Sequence, residues 1–129
     1  MCEESEVLAL VARMSELANL RDVDGLMGLY AREATAFLFG EQLALDGIRS
    51  HCAKGYAALR GKFTYVILPA KIEIASDIAY VFGAERIEGA TETGAFASTL
   101  NATYCLSKIG GRWRITHQHL SMRNEGPPS

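Results

Sequence analysis

The second half of the chain carries the feature that most limits its fold: strand-like runs at residues 63–75, 78–87, 95–109 and 112–122 follow one another with almost no chain between them. Lys71-Ile72-Glu73-Ile74 alternates cleanly, and Gly110-Gly111 is the signal of a two-residue hairpin turn between the last two runs. Strands this long and this closely joined pair antiparallel, and because strands twist, the sheet they build is strongly bent. Pro69 has no amide proton to give to a ladder, so it marks a bend or an edge in the first run.

Helical patterns come first. Between residues 5 and 20, Val7, Leu10, Val11, Met14, Leu17 and Ala18 recur at steps of three and four, the period of a helix with one buried stripe. Asp22 is placed to cap a following turn, and Leu26, Met27, Leu29 and Tyr30 continue a helical pattern that Gly25 and Gly28 weaken. Residues 34–39 form a short apolar, aromatic strand closed by Gly40, and a second short strand fits residues 42–45. A third helix opens at Gly47, with Asp46 read as its cap, puts Ile48, Cys52, Tyr56 and Leu59 on one side, and stops before Gly61. The tail at 124–129 holds Gly126, Pro127 and Pro128 and is expected to fray. Helices followed by a meander of long strands define an α+β domain whose curved sheet wraps partly around helix one and leaves a cavity between the layers.

Composition narrows the partners. With 129 residues the chain fills one core, so residues 1–129 are read as a single domain. A formal net charge of -2, with both signs scattered, offers no basic stripe for nucleic acid. The opening MCEESEV lacks a basic and apolar leader, and no apolar run has the roughly 18 residues of a membrane span, so a cytoplasmic protein is expected. Cys2, Cys52 and Cys105 are odd in number and widely spaced, which points to reduced thiols, with Cys105 buried in a strand. Nothing in the sequence calls for a cofactor or a metal.

Several segments together resemble the SnoaL-like members of the nuclear transport factor 2-like superfamily. They are Arg21-Asp22-Val23-Asp24-Gly25-Leu26, then Leu29-Tyr30-Ala31 and Ala34-Thr35-Ala36-Phe37, then Ile78-Ala79-Tyr80-Val81, and the closing Gly111-Arg112-Trp113-Arg114-Ile115-Thr116-His117-Gln118-His119-Leu120-Ser121. The resemblance implies a cone-shaped, cystatin-like fold and a homodimer packed through the outer sheet face. It leaves function open, because isomerases, cyclases and non-enzymatic association domains share the fold. Set against ketosteroid isomerase, the resemblance puts Met14 where a catalytic tyrosine stands, Leu38 near the proton-moving aspartate and Thr103 near the late acid, so that mechanism is disfavoured. Set against the kinase association domain, it keeps a histidine at His51 and replaces two anion-binding arginines by Phe82 and Tyr104.

Uninterrupted alternation along the last strand puts Trp113, Ile115, His117 and His119 on one face, and a tight Gly110-Gly111 turn would pair Tyr104 with His117. Guided by the association-domain resemblance, this face is read as inward. His117, His119 and Tyr104 then become candidate catalytic groups, the histidines for proton transfer and the tyrosine as donor to an oxyanion. The bland alternative is hydrogen-bonded core histidines and a core tyrosine. His51, Trp113, Phe82, Phe37, Tyr80 and Met14 are the candidate ligand-binding residues. With no acidic residue identified on that face, a metal site is not expected. The expected partner is a small apolar or aromatic molecule, bound or turned over by proton transfer next to a carbonyl, the alternative being a non-catalytic binding or dimerisation module. The opposite strand parity would line the cavity with Thr116, Gln118, Leu120 and Thr103 and would remove the histidines.

Overall fold

The computed structural model describes residues 2–123, so the expectation of a frayed tail at 124–129 lies outside it. α1 (Glu3–Asn19) opens on Glu3, Glu4 and Glu6, whose charges favour a helix N-terminus, and it buries Val7, Val11, Met14, Leu17 and Ala18. α2 (Val23–Met27) is one short turn, held because the Asp22 carboxylate accepts from the Gly25 amide at 2.9 Å. A side chain at position 25 would collide with that carboxylate, which explains the glycine.

The helical pattern does not continue through Tyr30 as the sequence suggested. Tyr30 opens β1 (Tyr30–Leu38), because the Leu29 carbonyl is already taken by the Ile115 amide at 2.9 Å. β2 (Glu41–Ala44) leads directly into α3 (Leu45–Ala58). Asp46 is therefore inside the first turn of α3 and caps nothing; the cap position is Ala44, with no side-chain bond. Then come β3 (Thr64–Ala75), β4 (Ile78–Thr91), β5 (Gly94–Ile109) and β6 (Arg112–Met122).

The six strands of the described residues form one sheet in the order β2-β1-β6-β5-β4-β3, antiparallel throughout except for the parallel pair β1 and β6. The hairpin turn falls at Gly110-Gly111, both at positive φ, with Ile109 opposite Arg112. Register breaks in three pairings bend the sheet, one of them in β1 between Tyr30 and Thr35 opposite β6. In β3 the pairing steps from Pro69 opposite Gly83 to Lys71 opposite Phe82, so Pro69 sits at an irregularity on an edge strand. A Cβ on Gly83 would run into the Leu68 carbonyl oxygen, so the chains approach this closely only because position 83 is glycine. In β6 Ile115 faces Leu106 and His117 faces Cys105, leaving Thr116 as the extra residue, its hydroxyl donating to the Cys105 carbonyl at 3.1 Å.

The concave face packs Ala36, Ile67, Val81, Tyr104, Leu106 and Ile115 against α1 and its neighbours, which is the core. Cys105 is half-buried in β5 rather than enclosed. Among the described residues no helix is long and apolar enough to cross a membrane.

Candidate functional site

Between the concave face and the helices lies a cavity of about 200 Å³. One water needs roughly 10–15 Å³ on the same kind of measure, so there is room for a small organic molecule. Met14 and Ala18 of α1, Leu26 of α2, Leu38 of β1, Ile87 of β4, Leu100 of β5 and Leu120 of β6 give it apolar walls. The α3 side chains His51, Cys52 and Tyr56 close it from the other side, with His51 at the exposed edge, its ring 6.2 Å from that of Phe39.

One carboxyl group interrupts these walls. Glu85 of β4 lines the cavity, is only 2% exposed, and its Oε2 has no hydrogen-bond partner. It faces inward because Ala79, Val81, Gly83, Glu85 and Ile87 alternate on one side of β4. Burial pushes its carboxyl up to about 7, while the neighbouring Tyr65 hydroxyl and Gln118 amide pull the other way. The Gln118 amide is oriented by Tyr30, whose hydroxyl donates to Gln118 Oε1 at 2.5 Å, which leaves the amide nitrogen available to the neighbouring Glu85. Strands β1, β3, β4 and β6 thus each give one member of a buried polar network. Burial also raises the Tyr30, Tyr65 and Tyr56 hydroxyls, and lifts the Cys52 thiol to about 11, so all four keep their protons near neutral pH.

The sequence-derived residues divide sharply. Met14 and His51 line the cavity, and so does Leu38. His117 and His119 do not. The extra residue at Thr116 reverses the parity of β6 beyond Ile115, so Gln118 and Leu120 turn inward and both histidines lie on the outer face. There the His117 Nδ1 is 2.8 Å from the Thr35 hydroxyl, and Phe37 stands edge-on to both imidazoles at 5.2 and 5.8 Å. Phe37, Tyr80 and Phe82 are outward as well, at 40%, 39% and 41% exposure, with Tyr80 and Phe82 stacked on each other. Thr103 pairs with His119 and shares that face.

Tyr104 and Trp113 point inward but belong to the solid core rather than the cavity wall. Tyr104 pairs with Gln118, not His117, and its hydroxyl is buried without a partner. Trp113 lies 5.8 Å from the Lys108 ammonium, which reaches Glu3 and Glu6 of α1. No cluster of three or more His, Cys, Asp or Glu side chains able to hold a metal occurs among the described residues. Glu85, Tyr65 and Tyr30 were missed; the readable signal was an acid in phase with Val81, Gly83 and Ile87.

A bent sheet folded over helices around an interior cavity is the architecture of the nuclear transport factor 2-like proteins, and this chain is one of them. It belongs to the SnoaL-like domain family, whose pattern matches residues 7–125. Similar solved folds include a protein of unknown function from Mycobacterium tuberculosis, 22% identical with a TM-score of 0.79 over 95% of this chain and 72% of that one. A nuclear transport factor 2-like protein with a cystatin-like fold from Novosphingobium aromaticivorans is 14% identical with a TM-score of 0.82, covering 95% of this chain and 83% of its own. A ketosteroid isomerase-like protein from Erwinia carotovora is 13% identical with a TM-score of 0.79, covering 93% and 95%. At these identities the likeness is one of fold. No curated protein matches the sequence.

Proposed function

We propose that the cavity binds a small, largely apolar carbonyl compound and that Glu85 moves a proton at the carbon beside the carbonyl. The observation that carries this reading is a carboxyl in an apolar cavity with one oxygen unpartnered and a pKa near neutrality. A base is most effective when its pKa lies near the working pH. The Glu85 carboxylate takes the α-proton, the carbonyl becomes an enolate, the new carboxyl proton exchanges with solvent, and Glu85 returns one proton to the α-carbon or to a carbon conjugated with it. The Tyr56 hydroxyl and Cys52 thiol across the cavity stay protonated and can donate to the oxygen that gains charge. Proton transfer thus rests on Glu85 in place of His117 and His119.

Deuterium uptake at the α-carbon of small cyclic ketones, followed by magnetic resonance in heavy water, is the test. The wild type is expected to accelerate it, and Glu85→Gln to lose about 100-fold or more of that rate. Uptake equal in the two proteins would sink the assignment. Absence of uptake, with ketones binding in the cavity, would leave the non-catalytic binding module as the reading.

The outer face supports a homodimer, though through different residues than the alternation first indicated. Val81 and Leu120 are buried inside, whereas Phe37, Val66, Leu68, Tyr80 and Phe82 are exposed on the convex side. A patch of this kind gains from being covered by a second copy. Sedimentation is expected to give a dimer at micromolar concentration and a monomer for Phe82→Asp; a wild-type monomer would refute it. The unpaired state of Cys2, Cys52 and Cys105 fits a reducing compartment, for which the cytoplasm is proposed.

A further inference from the structure

The rings of Tyr30, Phe39, Tyr56, Phe63, Tyr65 and Phe96 all line the cavity, and no lysine or arginine does. Among the described residues its one buried charge is the Glu85 carboxylate, which has Tyr65 of β3 and Gln118 of β6 as polar neighbours and keeps Oε2 without a hydrogen-bond partner. The titratable groups facing it from the remaining elements are Tyr30 of β1 and Cys52 and Tyr56 of α3, all of which are neutral near pH 7. Met14 and Ala18 of α1, Leu26 of α2 and Leu100 of β5 bring none, and His51 lies at the exposed edge. What the cavity lacks is a cation. Aromatic faces attract cations, and a charge-assisted hydrogen bond is roughly twice as strong as a neutral one. Folding has already taken the carboxylate out of water, so a binding cation has only its own desolvation to overcome.

We infer that the cavity is a receptor for a protonated apolar amine, its ammonium on Glu85 Oε2 and its hydrocarbon against the aromatic rings. This rests on the reading of the cavity as the binding site and not on the proton-transfer step. An amine in place holds Glu85, the one buried carboxylate among the described residues, ionised and paired, so amines are also the class that should block α-proton exchange. A carboxylate of the same shape would face the Glu85 charge with no counterion and is rejected.

Calorimetry at pH 8 with 2-phenylethylamine, 2-phenylethanol and 3-phenylpropanoate, on the wild type and on Glu85→Gln, tests this. The amine is expected to bind at least tenfold more tightly than the alcohol, with the carboxylate weakest. In Glu85→Gln the amine should lose its advantage over the alcohol. If the alcohol binds and the amine does no better, the inference fails and the cavity remains a binding site. A persisting amine preference in Glu85→Gln also overturns it. If none of the three binds, both readings fall, whereas loss of ketone exchange alone touches only the catalytic one.

Discussion

Raising the pH from 5 to 8 is expected to cost the protein about 3 kcal/mol of stability, and Glu85→Gln to remove that loss. The folded carboxyl titrates at about 7 against 4.5 for an ordinary glutamate, and each pKa unit is worth about 1.4 kcal/mol. For an acid with a raised folded pKa, the native state holds more protons than the unfolded chain between the two values. The contribution of this carboxyl is therefore complete below about 4.5, falls steadily above that, and is fully lost once the pH has risen through about 7. The amide keeps the shape of the carboxyl and cannot ionise, so denaturant midpoints for the variant should stay level across this window. At pH 8 the variant should be the more stable protein. A wild-type curve that is flat from pH 5 to 8, or a variant that falls with it, would show that Glu85 does not titrate as a buried acid.

Trp113→Ala should destabilise by about 3–5 kcal/mol, the usual cost of emptying a large buried aromatic site. Trp113 is 8% exposed, packs among Leu106, Ile115 and α1, and sits below the Lys108 ammonium that ties β5 to Glu3 and Glu6. Its ring nitrogen is buried without an acceptor, so Trp113→Phe, which removes that orphan donor and keeps most of the ring, should lose much less. Chemical denaturation distinguishes the two variants. A loss below about 1 kcal/mol for the alanine variant would mean that the indole does not pack as described.

The strand meander, all three helices and the Gly110-Gly111 hairpin could be read from the sequence, because each depends on local periodicity or turn chemistry. The cavity-facing side of α3 was legible for the same reason: Ile48, Cys52, Tyr56 and Leu59 share one helical stripe and all line the cavity. The lining from β6 was not legible. Alternation carried Trp113 and Ile115 inward correctly, and then the bulge at Thr116 inverted everything after it. No residue from Ile115 to Gln118 announces that bulge, since it arises from pairing with β5 and not from local propensity. Glu85 was missed for a second reason. A lone acid within an apolar stripe looks like an interruption of the pattern, and only its neighbours Tyr65 and Gln118, distant along the chain, turn it into a site. Phe37, Tyr80 and Phe82 looked like a pocket wall because aromatic strands are usually buried, but here they cover the convex side.

Thr116 also bears on how this strand tolerates changes in its coding sequence. It is an extra residue set between Ile115, opposite Leu106, and His117, opposite Cys105. Loss of codon 116 would let β6 run in plain alternation with Ile115, Gln118 and Leu120 still turned inward. Loss of a codon beyond Gln118 would instead turn the remainder of the strand inside out, exchanging Leu120 for its outward neighbours. A strand that lacks the bulge would therefore differ from this one by a gap rather than by a substitution. Matching the two without that gap would equate His117 with a position that faces the interior in the unbulged strand.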